Sequence, residues 1–203
     1  MLDATFIMRI HDQTTQAWHE PGEEKLIEPH SLTALVRAQH RANFDLWHEE
    51  DKARDPEATD QAIAVVKHAI DRINQRRNDL AERIDVEVLA EFHEAIANRP
   101  EAPLHSETPG MMIDRLSILA LKIFHTEEET RRASATEEHR QRNRERLTLL
   151  REQRADLAHA LDALLDDVTN GRRRFKLYRQ MKMYNDPELN PAVYKRRAQE
   201  KDT

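Results

Sequence analysis

Two lines of residues constrain the fold of this chain more than any other feature. One runs Ile63, Val66, Ile70, Ile73, Arg77, Leu80, Ile84, and the other Leu147, Leu150, Arg154, Leu157, Leu161, Leu164, Val168. Alternating steps of three and four place each line along one face of a long helix, the pattern that antiparallel bundles bury. A third stretch, Met112, Ile113, Leu116, Ile118, Leu119, Ala120, Leu121, Ile123 and Phe124, is apolar nearly all round and predicts the central, most buried helix.

Composition closes off the alternatives. Only 3 of 203 residues are glycine, too few for the tight turns of a sheet-rich fold. With Gly22, Gly110 and Gly171 so far apart, no glycine-rich phosphate loop can be written. The absence of cysteine excludes disulfides, thiolate nucleophiles and cysteine-ligated metals. The longest clean apolar run, Ile118 to Leu121, is far short of the ~18 residues of a membrane span, and no secretory signal is visible. The expectation is a cytoplasmic, all-α protein: an antiparallel bundle of five to six helices.

Local signals set the expected boundaries. The first helix covers about 3–18, and Ser31 caps a second over 32–54. Asp55-Pro56 opens a segment over 56–97, read as one helix or as two with a break near Asp85. Three prolines mark a loop over 98–109, and Thr108-Pro109 opens the central helix over about 110–131. Ser134 and Glu137 have capping-box spacing for a helix to 169, which Asn170-Gly171 stops. A short basic helix over 172–183 follows. Residues 1–191 read as one domain, with 192–203 a charged, flexible tail.

Charge is segregated. Residues 171–203 carry 10 Lys/Arg against 4 Asp/Glu, so the rest of the chain, with 22 against 34, stands at −12. Such an acidic body argues against general nucleic-acid binding. The basic segment, with Arg174, Lys176, Tyr178 and Arg179, could dock on that body or hold an anion.

Several residues suggest chemistry. Arg77 and Arg154 interrupt the two apolar lines, and a guanidinium there needs an acceptor. It finds one by reaching solvent or a carboxylate past its own stem, or by holding a phosphate or carboxylate ligand. On the central helix, Asp114 and His125 are three turns apart on one face, and Arg115 and Lys122 share the next. Asp45, His48 and Asp51, in a run that includes Glu49, are spaced to share a helical side, which suits a histidine base or a carboxylate–imidazole metal site. Asp71, Asn74, Asn78 and Asp85 form a polar stripe. It resembles, without a clean Glu-x-x-Glu, the magnesium-binding faces of helical nucleotide pyrophosphatases, making Asp71 the metal candidate.

These segments carry a family resemblance. Leu46-Trp47-His48-Glu49-Glu50-Asp51 with Arg54-Asp55-Pro56 is one motif, and Ile70-Asp71-Arg72-Ile73-Asn74-Gln75 with Arg77-Asn78-Asp79 is another. Glu107-Thr108-Pro109-Gly110 with Ile113-Asp114-Arg115-Leu116-Ser117-Ile118-Leu119 is the third. Arg174-Phe175-Lys176, Tyr178-Arg179-Gln180 and Lys182-Met183-Tyr184-Asn185-Asp186-Pro187 complete the set. Together, over about 40–191, they resemble an uncharacterised bacterial family catalogued as domain of unknown function 4254. The resemblance implies an all-helical bacterial protein and brings no activity. Its members' proximity to glycosyltransferases implies a setting in cell-envelope polysaccharide synthesis.

Two expectations follow. In the first, an anionic small molecule, such as a sugar phosphate or nucleotide-sugar, is held by Arg77, Asn78, Arg115, Lys122, Arg154, Arg174, Lys176, Tyr178 and Arg179. His48, Glu49 and Asp114 are then the acid–base candidates. In the second, the chain is a non-catalytic accessory protein that binds a glycosyltransferase or self-associates.

Overall fold

The structure, a computed structural model, describes residues 3–20, 31–181 and 188–191. Among them are six helices: α1 (Ala4–His19), α2 (Leu32–Lys52), α3 (Asp60–Glu91), α4 (His93–Ala97), α5 (Pro109–Arg131) and α6 (Glu137–Thr169). The described residues form an all-α bundle without a strand; their one β element is an isolated bridge between Leu104 and Arg174. No described helix is long and apolar enough to cross a membrane.

The central helix is α5, which packs against α1, α2, α3 and α6. Its Met112, Ile113, Leu116 and Leu121 are buried together with Ile7 of α1, Val36 of α2, Ile84 and Val88 of α3, and Leu161 and Leu164 of α6. Short connections make hairpins of α2 with α3 and of α5 with α6. Both apolar lines face inward, except where α3 begins: Ile63 is 38% exposed there.

Side-chain caps start each long helix. Asp3, Ser31, Thr59, Thr108 and Thr136 each accept a hydrogen bond from the backbone N–H three residues on. Two starts differ from expectation. Asp55-Pro56 does not open α3, because the Asp55 carboxylate is taken by Glu57 N–H in a local turn, and Thr59 caps instead. Likewise Thr136, not Ser134, caps α6.

Of the two readings of 56–97, no break falls at Asp85. Asp85 sends its carboxylate across to the start of α5 and leaves its own helix intact; α3 ends at Glu91, with Phe92 as its C-cap.

The basic helix expected over 172–183 is not formed over 172–181. Gly171, at φ 66°, turns the chain out of α6. Arg174 N–H then donates to Pro103 O and His105 N–H to Arg174 O, at 3.1 and 2.8 Å. Phe175, 1% exposed, enters the core. Burying one aromatic ring and pairing with the 102–105 loop outweighs a helix whose cations would repel one another. The remainder of that expected helix and the 192–203 tail lie outside the described residues.

Candidate functional site

The arginine that breaks the α3 line meets a carboxylate on the central helix. Arg77 Nε donates to Asp114 Oδ1 at 2.7 Å, and its Nη2 donates to Oδ2. Hydrogen bonding to Asp114 raises the Arg77 pKa above its ordinary value. From α2, Gln39 Nε2 and Asn43 Nδ2 also donate to Asp114 Oδ1, the latter at 3.0 Å. Two guanidinium bonds and two amide bonds thus fix Asp114 in place.

A buried polar chain continues from this pair. Asn43 Nδ2 donates to Ser117 Oγ at 2.8 Å. Ser117 Oγ is hydrogen-bonded to His40 Nδ1 at 2.7 Å, and His40 Nε2 to Thr15 Oγ1 at 2.8 Å. Burial drives the His40 pKa down to about 3, so the ring is neutral. His11 stacks on it with ring centroids 4.5 Å apart, and burial lowers its pKa well below the usual value. The chain links α1, α2, α5 and α3 through the middle of the bundle.

Asp114 and Arg77 border a pocket of about 460 Å³, whose other polar walls are Asn74, Asn78, Glu107, Arg115 and Gln180. Arg115 Nη1 donates to Glu107 at 2.6 Å across its rim. Four expected site residues, Arg77, Asn78, Asp114 and Arg115, are therefore brought together, and Gln180 brings the basic segment to them.

The other expected residues lie elsewhere. Arg154 Nη2 donates to Asp12 at 2.8 Å and to Met8 O at 3.1 Å, in a separate cleft of about 850 Å³ between α1, α5 and α6. Lys122 is exposed on α5 and lines neither cavity. Glu49 pairs with Lys52 at 2.6 Å and Asp71 with Lys67 at 2.5 Å, each within one helix. Arg174 Nε donates to Ala102 O at 2.9 Å, whereas Lys176, Tyr178 and Arg179 are exposed.

His48 belongs to a second cluster. One nitrogen from each of His19, His48 and His125 lies within 4.8 Å of the others. Each ring is fixed through Nδ1: His19 to Thr15 O at 2.7 Å, His48 to Phe44 O at 2.9 Å, and His125 to Glu128 Oε2 at 2.9 Å. The Nε2 atoms of His19 and His125 are buried and have no hydrogen-bond partner among the described residues. Burial lowers the His125 pKa, with the hydrogen bond to Glu128 opposing it.

A family model described as Protein of unknown function (DUF4254) matches residues 33–177. The chain belongs to this family. No curated protein and no solved structure matches. Both the Arg77–Asp114 pair and the pocket around it lie within the DUF4254 match, apart from Gln180, whereas α1 lies outside it.

Sequence reasoning missed Gln39 and Asn43 as partners of Asp114, His40 and Ser117 in the chain beyond them, and His19 and His11 altogether. A signal was present: His11 and His19 are eight residues apart on α1, as are His40 and His48 on α2. That matched spacing offers two imidazoles from each of two neighbouring helices.

Proposed function

We propose that this DUF4254 protein binds a phosphorylated or otherwise anionic small molecule, a sugar phosphate or nucleotide-sugar, in the Arg77–Arg115 pocket. The observation that carries the reading is the two-pronged clamp of Asp114 on Arg77. It holds the guanidinium plane still, leaving Nη1 without a protein acceptor among the described residues. A preset planar donor loses little entropy when it meets a phosphate or carboxylate.

The surroundings support the same chemistry. Arg77 and Arg115 balance Asp114 and Glu107, so an incoming anion meets no net negative charge, and the amides of Asn74, Asn78 and Gln180 add neutral hydrogen-bonding groups. Gln180 ends a stretch, 172–180, that carries five cations and no acid. In this reading Asp114 positions Arg77 rather than transferring a proton. His48 and Glu49 do not line the pocket. The family resemblance supports a setting in cell-envelope polysaccharide synthesis.

Thermal unfolding against sugar phosphates, nucleotides and nucleotide-sugars tests this directly. A ligand at 100 times its Kd adds about 2.7 kcal/mol and raises the midpoint by several degrees. Arg115 is 56% exposed at its side chain, so Arg115→Ala should remove most of that shift and leave the unliganded midpoint within about a degree. No shift across the panel, or a shift indifferent to Arg115, overturns the reading.

One observation favours the accessory reading. The first turns of α3 extend beyond the packed core, with Ile63 38% and Val65 63% exposed. A protein that self-associates through them would change its mass in light scattering on Val65→Asp. An unchanged monomer removes that alternative's support.

A further inference from the structure

We propose that His19, His48 and His125 form a three-nitrogen site for a divalent transition-metal ion of the zinc class, beside the cleft between α1, α5 and α6. The inference is independent of the anion pocket, since it rests on other residues and needs no anionic ligand.

The first ground is the second layer behind each ring. Histidines that ligate a metal through Nε2 characteristically donate the opposite N–H to a carbonyl or carboxylate, which fixes the tautomer and aims the lone pair. All three do so here, to Thr15 O, Phe44 O and Glu128 Oε2. With Nδ1 carrying the proton, each Nε2 is a free acceptor. Two of these three atoms are buried with no donor among the described residues to meet them, a costly arrangement unless something else does.

Ring placement is the second ground. The centroids are 5.4 Å apart for His19–His48, 5.1 Å for His19–His125 and 5.9 Å for His48–His125. Three imidazoles bound to one tetrahedral ion at about 2.0–2.1 Å have centroids roughly 5 Å apart. Interplanar angles of 48°, 75° and 68° show that the rings are inclined to one another, not stacked.

Each ring also has an aromatic neighbour that steadies its plane. His19 stacks on Phe124 at 4.3 Å, His48 lies against Phe44 at 4.4 Å, and His125 stacks on Trp47 at 4.7 Å. The ligand nitrogens lie within 4.8 Å of one another, so small side-chain rotations bring them to coordination distance.

Chemistry selects the ion. Three neutral imidazoles without a carboxylate in the set suit zinc, cobalt or nickel, whereas magnesium and calcium require oxygen ligands. Of the three rings, His19 also lines the 850 Å³ cleft.

The test uses full-length protein without an affinity tag, stripped with a chelator and titrated with Zn²⁺ against a chromophoric competitor, then with Co²⁺. The expected result is one Zn²⁺ per chain and the visible absorption of tetrahedral Co²⁺. His19→Phe and His125→Phe keep a ring in place and should each weaken binding at least roughly a hundredfold, with the helical circular dichroism unchanged. Glu128→Gln should weaken it by about tenfold through the second layer. His159→Ala, on an exposed part of α6, should change nothing. Absence of a stoichiometric Zn²⁺, or binding that survives both Phe variants, overturns the site. If the Phe variants unfold, the Glu128→Gln comparison and the Co²⁺ spectrum of the unmodified protein decide it: an octahedral spectrum or unaltered affinity in Glu128→Gln counts against the site.

Discussion

Asp85 and Gly110 join two helices at a tight approach. Gly110 N–H donates to Asp85 Oδ1 at 2.6 Å, while Thr108 Oγ1 donates to Oδ2 at 2.5 Å. A carboxylate from the last two turns of α3 thereby satisfies otherwise unpaired donors at the start of α5 and faces the positive end of its dipole. The approach leaves no room for a side chain: a Cβ on Gly110 would run into the Ala81 carbonyl oxygen and the Asp85 carboxyl group.

Gly110→Ala should therefore destabilise the protein by about 1–3 kcal/mol or more, because the obstacle is backbone that cannot swing aside. Urea unfolding measures this. A loss below about 0.5 kcal/mol would mean that α3 and α5 can separate freely at this point.

Asp85 itself makes a pH-dependent contribution. Burial pushes its pKa from 3.8 up to about 6, while the hydrogen bonds from Thr108 and Gly110 pull it down. The folded protein thus retains a proton that the unfolded chain releases first. Stability from this group is full below about pH 3.8 and lost as pH rises to about 6, in total about 3 kcal/mol at 1.36 kcal/mol per pKa unit. Between pH 4 and 6, the difference in unfolding free energy between the parent and Asp85→Asn should shift by that order; a constant difference would refute it.

His11 and His40 act in the opposite direction. Burial depresses both pKa values, that of His40 to about 3, so their neutral rings favour the fold above about pH 6.5. That stability drains away as pH falls from 6.5 towards 3, when the unfolded chain takes up protons that the folded one refuses. His11→Phe removes one such group, and the two unpartnered ring nitrogens of His11 with it. Its acid-unfolding midpoint, followed by circular dichroism, should move to lower pH.

Phe175 anchors the basic segment. Phe175→Ala should cost about 3–5 kcal/mol, as for other buried aromatic rings. It should also expose the chain after Arg172 to trypsin, which cuts at Arg173, Arg174, Lys176 and Arg179. A segment equally protected in the variant would show that the pairing of Arg174 with the 102–105 loop suffices alone.

The sequence by itself determined the long helices and which of them is central. Their signals are local: caps act within three residues and the apolar rhythm within four, so α2 and α5 begin within a residue of expectation. It also marked Arg77 and Arg154 as charges needing partners. Which partners they take, Asp114 and Asp12, was decided by how α5 and α1 pack, since a lone sequence carries no pairing information between helices. The same holds for Asp85, where the sequence allowed one helix or a break and the donors of α5 accompany an unbroken helix. Only tertiary structure turned the basic segment from an apparent amphipathic helix into an extended strap, because one buried ring, Phe175, outweighs local helix preference. The gathering of His19, His48 and His125 depends on α1 docking beside α2 and α5. Residues 29 and 77 positions apart meet only when helices from distant parts of the chain share one core.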